Sequence, residues 1–193
     1  MKTNSITRNI KSYLIDFIIV TAGVLIALLL SNLKEDNQAR KYHKASIETI
    51  NKEIKANYSD LKVVIEKQTK VLDTLKKYGN AQVPIGKILI NAGGIQSATL
   101  SNSGLDIYKR NQISSIDFEI ISMLNNLKYR SQTIEKKLNH LTNFVYENFL
   151  DKSKDKKIIL SVHMQDILGS EKGLLDFYKD YIDEKINKKG NTK

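Results

Sequence analysis

From Tyr13 to Leu30 the chain reads YLIDFIIVTAGVLIALLL, and from Phe17 onward it is apolar apart from Thr21 and the backbone of Gly23. No other stretch approaches this density. A helix needs roughly 20 mostly apolar residues to cross about 30 Å of hydrocarbon. With Ser31, Asn32 and Leu33 behind it, the run supplies them, so residues 13–33 read as one transmembrane helix. Two rivals fit less well. A cleaved signal peptide needs a shorter apolar core and small residues at a cleavage site, whereas Ser31-Asn32-Leu33-Lys34-Glu35-Asp36 follows here. A buried core helix needs a large globular body around it, and the remaining chain is charged and amphipathic.

Inside the run, Gly23, Ala27 and Ser31 recur every fourth position and share one helix face. Small residues on such a face let two helices approach closely in lipid, where packing drives association. The plainer reading is that small residues are common in membrane helices. Asp16 is the one ionisable group of the span. It reads either as an interfacial carboxylate favoured by the helix N-terminus or as an intramembrane acid bonded to a partner.

The rest of the chain favours long helices. Its 193 residues hold one proline, no tryptophan, no cysteine and nine glycines. The lack of cysteine excludes disulfides, thiolate metal sites and a Cys nucleophile. The net charge of +10 comes from lysines spread among acids, not from an Arg-rich patch interleaved with aromatics, so we expect no nucleic-acid partner. Residues 1–12 form a short basic tail with Lys2, Arg8 and Lys11, while Lys34, Arg40, Lys41 and Lys44 lie beyond the apolar run. Charge alone leaves the orientation open. A short basic tail before a first apolar segment usually stays in the cytoplasm, which places the soluble body on the periplasmic side of an inner membrane.

Beyond the span, Ile47, Ile50, Ile54, Leu61, Val64, Val71 and Leu75 form a stripe with 3-4 spacing, flanked by Tyr58, Ile65 and Leu72. Such a stripe suits a helix packed in a bundle or in a coil of three or more strands better than a narrow two-stranded seam. Asn57 and Gln68 fall on it; they either set register or oligomer state or sit at an exposed edge. No Pro or Gly interrupts the chain between Gly23 and Gly79, so the membrane helix is expected to run straight into the soluble one. Gly79 reads as a left-handed cap. Pro84 opens a short helix over 85–91, Gly93-Gly94 stops it, and 95–102 reads as a further short helix. Leu105 to Ser115 reads as a connector.

From Ser115 to about Leu150 a second long helix is expected. Ile116, Leu127, Leu138 and Phe149 recur every eleven residues, as do Met123, Ile134 and Val145. It should pack antiparallel against Ile47–Leu75. After a solvated hinge at 151–157, a helix over 158–168 ends at Gly169, and Ser170 caps a last one. The expected fold class is therefore all-α: an N-terminal transmembrane helix continuing into a bundle with two long antiparallel coiled-coil-like helices. Its parts are residues 34–150 as two long helices joined by short ones, 151–188 as a C-terminal helical pair, and a tail over 189–193.

No arrangement of catalytic type stands out. His43, His140 and His163 are scattered, with no HExxH spacing, no G-x-S-x-G elbow and no phosphate loop at Gly93-Gly94. Glu35-Asp36 and Asp183-Glu184 fall on lysine-rich faces, which suits solvation. Tyr108, Tyr129, Tyr146, Tyr178 and Tyr181 suit helix interfaces where the ring is buried and the hydroxyl wet. We expect no catalysis, no cofactor and no metal. The expected role is that of a membrane-anchored helical scaffold or protein-interaction module, partnered by the bilayer and by a second copy or another membrane protein. The alternative is a ligand-sensing bundle that binds between 47–78 and 115–150 and signals through a partner.

The stretch GVLIALLLSNLKEDNQARK, Gly23 to Lys41, resembles the I-G-I-L-I-A-L-x-I-N-N-W-N-E-x-R-K segment of a family of uncharacterised single-span membrane proteins of Bacteroidota-type bacteria. Asp16 stands where that family often carries an acid, and Leu100 to Gly104 is similar to its later L-x-x-S-G turn. Leu33 replaces the family's usual tryptophan, and the basic tail is shorter. The resemblance covers about the N-terminal quarter plus the central turn. It implies a retained inner-membrane anchor and a helical body, and supplies no catalytic residue.

Overall fold

The computed structural model describes residues 4–104, 106, 108 and 118–187. Among these the chain is all-helical and has no strand. α1 runs from Asn4 to Lys77, α2 from Ile85 to Asn91, α3 from Phe118 to Glu147 and α4 from Lys154 to Tyr181. A π-helical turn, Ile182–Asn187, follows α4. The connector from Leu105 to Ser115 lies outside the described residues except for Asp106 and Tyr108, as does the stripe position Ile116.

The chain divides into two compact units, Met1–Ala45 and Ser46–Lys193. In the first, the apolar run of α1 is helical and its side chains stand exposed, from Tyr13 at 74% and Phe17 at 68% to Leu30 at 62%. By length and composition this run is able to cross a membrane.

The second unit is a bundle. The part of α1 after Ser46 buries Ile50, Ile54, Leu61, Val64, Val71 and Leu75, and Ile47 packs partly buried against them. Its opposite face, from Glu48 and Lys52 to Lys70 and Lys76, is exposed. α3 contributes Leu124, Leu127, Ile134, Leu138, Leu141 and Val145 to the core. α4 contributes Leu160, Met164, Ile167, Leu168, Leu174 and Tyr178.

Pair contacts fix the directions. Along α1, Asn51, Asn57 and Gln68 meet Tyr181, Tyr178 and Glu171 of α4 in descending order, so α1 and α4 are antiparallel. Along α3, Arg130, Lys137 and Phe144 meet Phe177, Asp166 and His163, so α3 and α4 are also antiparallel. α1 and α3 therefore run the same way, which corrects the expected antiparallel pairing of these two. The return leg that the sequence reading gave to α3 is made instead by Gly94–Gly104. This segment is not helical over 95–102 as expected; it lies along α1 in the opposite sense, with Gln96, Thr99, Ser101 and Ser103 bonded to Gln68, Asp60, Asn57 and Glu53. Fifteen helical residues rise roughly 22 Å, and seven extended residues cover about 23 Å, so the strap is a drawn-out chain.

Three further expectations change. Gly169 does not end a helix: α4 continues through it, so the C-terminal helical pair is a single helix plus the π-helical turn. A glycine costs about 1 kcal/mol against alanine in a helix, and burial of Leu168 and Leu174 on either side outweighs that. Gly79 is not a left-handed cap, since Gly93 and Gly94 are the described residues with positive φ, at 93° and 75°. They form the turn that ends α2 and starts the strap. The end of α1 is held by Lys157 of α4, fully buried, whose ammonium donates to the carbonyls of Ala81 and Tyr78. A cation there complements the C-terminal end of the helix dipole. Tyr108, Tyr178 and Tyr181 are buried at interfaces, but Tyr129 and Tyr146 are largely exposed.

Candidate functional site

Glu53, Asn57, Asp60 and Gln68 are spaced by four, three and eight residues, which places them on one face of α1. That face meets a segment with no ladder of its own, and the four side chains supply the missing hydrogen bonds. The Asn57 amide donates to the Ser101 carbonyl at 2.7 Å and accepts from the Ser101 N–H at 3.0 Å. Asp60 accepts from the Thr99 N–H at 2.7 Å. Glu53 accepts from the N–H groups of Ser103 and Gly104, both at 2.8 Å, and from the hydroxyls of Ser101 and Ser103. Ser103 and Gly104 begin a helical turn, so the Glu53 carboxylate caps it from another element. A Cβ on Gly104 would lie 2.6 Å from Glu53 Oε2 and 2.8 Å from Ile50 Cγ1, so only glycine allows this approach.

α4 faces the same polar strip from the core side. The Tyr178 hydroxyl accepts from Asn57 Nδ2 at 3.1 Å. Burial pushes this phenol up to about 12, opposed by the Asn57 bond and reinforced by the Glu53 charge, so it stays neutral. Tyr181 donates to Asn51 Oδ1 at 2.9 Å. Deeper along the strip, Gln68 Nε2 donates to both the Gln96 carbonyl at 2.7 Å and Glu171 Oε1 at 3.0 Å. Gln68 and Glu171 are each 0% exposed. Burial raises the Glu171 carboxyl to about 7, with the Gln68 bond pulling the other way. Gln68 Oε1 and Glu171 Oε2 are buried with no hydrogen-bond partner.

Beside the strap lies a groove of about 390 Å³, lined by Leu89, Ile95, Gln96, Leu138, Val145 and Phe149 among others. It sits against α3, not between α1 and α3 where the sequence reading put a ligand. Among the described residues no group of three or more His, Asp or Glu is placed to hold a metal. His43 is partly exposed, His140 is exposed, and His163 packs on Phe144 with centroids 5.5 Å apart.

Comparison of the chain with protein-family models, with curated proteins and with solved structures finds no match in any of the three. The functional reading therefore rests on the residues themselves.

The residues singled out from sequence separate cleanly. Gly23, Ala27, Ser31 and Asp16 are exposed on the apolar part of α1; a Cβ on Gly23 would meet nothing within 4 Å, and the Ser31 hydroxyl donates to Glu35 at 3.4 Å. The stripe Ile47 to Leu75 lies in the bundle core. Asn57 and Gln68 are neither exposed edge residues nor free for a second copy, since both are buried and bonded to the strap and to α4. Sequence reading missed Glu53, Asp60, Lys157 and Glu171. Glu171 carried a signal: with Met164, Leu168, Leu174 and Tyr178 it continues the 3-4 spacing of the apolar stripe of α4.

Proposed function

We propose that the chain is a single-span protein of the bacterial inner membrane whose helical bundle, on the periplasmic side, acts by binding protein partners and not by catalysis. The observation that carries this reading is the apolar run of α1, long and apolar enough to cross a membrane, of which no part is buried. The juxtamembrane resemblance at Gly23–Lys41 supports it. Large exposed apolar side chains on the bundle, Leu150 at 79% and Val162 at 58%, support a binding role. Gly23, Ala27 and Ser31 supply a face on which two spans can pack, making a second copy the first partner to seek.

The test is membrane extraction. The wild-type chain should stay with membranes in alkaline carbonate and leave only in detergent. Lysines at both Val24 and Leu28 should shift it toward the soluble fraction, at about 2.5–3.5 kcal/mol per central charge. Recovery of the wild-type chain as soluble protein would overturn the anchor. Orientation is read with Lys152→Cys, an exposed position in a chain without cysteine. Labelling by an impermeant maleimide in cells with a permeable outer membrane places the bundle outside; protection until lysis places it in the cytoplasm.

A second reading, a bundle that senses a small apolar ligand and signals through a partner, is favoured by the groove beside Gln96. Its volume falls within the usual range of ligand sites. A thermal-shift screen with small amphiphiles tests it, and a screen without a stabilising compound counts against it.

A further inference from the structure

We propose that Glu171 is held in the folded bundle as a neutral carboxylic acid paired with the Gln68 amide, and that its ionisation releases the strap at Gln96. The argument starts from what each group can offer. A carboxylate has only acceptors, and so does the Gln68 carbonyl. In the structure one N–H···O bond, Gln68 Nε2 to Glu171 Oε1, already joins the two, while Gln68 Oε1 and Glu171 Oε2 are both left without a partner. Two orphaned acceptors on side chains that are each 0% exposed are costly and rare. One proton on Oε2 turns that oxygen into a donor for Gln68 Oε1 and closes an acid–amide ring with two hydrogen bonds. A single proton thus accounts for both orphans.

The surroundings oppose a charge. From α1, the core neighbours of Gln68 are Val64, Ile65, Val71 and Leu72, while Glu66, Lys67 and Lys70 are exposed. From α3, Lys137 is bound to Asp166 at 2.7 Å and to Ser170 at 2.8 Å. On α4 itself, Lys172 is exposed, and the strap 94–104 carries no titratable residue. Burial is the main cause of the raised carboxyl, and among the described residues no cation is placed to offset it.

Ionisation acts first on the strap because Gln68 Nε2 is shared. The same nitrogen that serves Glu171 holds the Gln96 carbonyl at 2.7 Å. A charged Oε2 opposes the Gln68 carbonyl oxygen acceptor to acceptor and demands water, and any turn of the amide that relieves this draws its second N–H away from the Gln96 carbonyl. Gln96 also lines the groove, which gives water a route inward. The strap has no regular ladder to resist its entry, so local opening there is the least costly response.

The experiment uses the full chain in detergent micelles or nanodiscs. Amide exchange, corrected for the intrinsic pH effect, is followed at Thr99 and Ser101, whose N–H groups bond Asp60 and Asn57. We expect protection to fall at least about tenfold between pH 5.5 and 8.5, the equivalent of one pKa unit of coupling. Glu171→Gln, which keeps a donor for Gln68 at every pH, should keep the strap protected throughout. Constant protection in the wild type, or the same loss in the variant, overturns the proposal. If the variant does not fold, the side-chain carboxyl carbons of the wild type decide by NMR. One glutamate titrating near neutrality supports the pair; all titrating in the usual carboxylate range overturns it and assigns the orphans to a trapped water.

Discussion

Asn57 on α1 and Ser101 on the strap exchange two hydrogen bonds, the side-chain amide donating to the carbonyl at 2.7 Å and accepting from the N–H at 3.0 Å. The amide of Asn57 thus stands in for the backbone of a neighbouring strand. It also bonds Tyr178, so one 3% exposed side chain ties α1, the strap and α4 together. Asn57→Ala leaves the Ser101 peptide groups and a buried phenol short of partners. We expect a loss of about 2–4 kcal/mol in chemical denaturation of the detergent-solubilised chain. A loss below about 0.5 kcal/mol, the level of an ordinary surface change, would contradict this placement.

Gly104→Ala forces a methyl against Glu53 Oε2 and Ile50 Cγ1. Glu53 can yield only by giving up the N–H groups of Ser103 and Gly104. The expected cost is about 1–3 kcal/mol, the range for overpacking a close contact. Exchange at the Ser103 amide should rise with it, and an unchanged rate would mean that the strap does not approach α1 here.

Gly169→Ala distinguishes one long helix from two. In a continuous α4 the glycine is exposed and a Cβ meets nothing within 4 Å. Alanine should then stabilise the protein by about 0.5–1 kcal/mol. A left-handed glycine ending a helix would give the opposite sign.

Lys157→Met keeps most of the side-chain volume and removes the donor to the carbonyls of Ala81 and Tyr78. The turn after α1 then loses its cap, at a cost of about 1–3 kcal/mol. Increased exchange and proteolysis should be confined to the turn at 78–83; an unaltered turn would show that the ammonium is dispensable.

Stability should fall, not rise, from acid toward neutral pH at Glu171. Its folded value is raised to about 7 from the ordinary 4.5. Between these values the folded chain holds a proton that the unfolded chain has released, so the favourable contribution is full below 4.5 and gone above 7. The span corresponds to about 3 kcal/mol. Thermal unfolding from pH 4.5 to 8 should show a decline in Tm that Glu171→Gln removes; an equal decline in that variant would place its origin elsewhere.

Local pattern by itself determined a good part of this protein. The apolar run 13–30 is legible because nothing but length and side-chain type is needed to see it. The stripe from Ile47 to Leu75 is legible because the helical period repeats without a break, and the start of α2 is legible because Pro84 sets its own backbone angle. The direction of α3 was not legible, because it depends on how the chain returns between α2 and α3. Residues 95–102 have no decisive preference; they are extended because Glu53, Asn57, Asp60 and Gln68, 28 to 48 residues away, supply their hydrogen bonds. Gly169 looked like a stop because its local cost is real, and burial on both sides of it overrode that cost. Lys157 fell in what read as a solvated hinge and Glu171 drew no reading at all, because only tertiary packing removes water from them. Periodicity records which face of a helix is covered. What covers it, and in which direction that neighbour runs, depends on side chains far apart in sequence and is settled only when they meet.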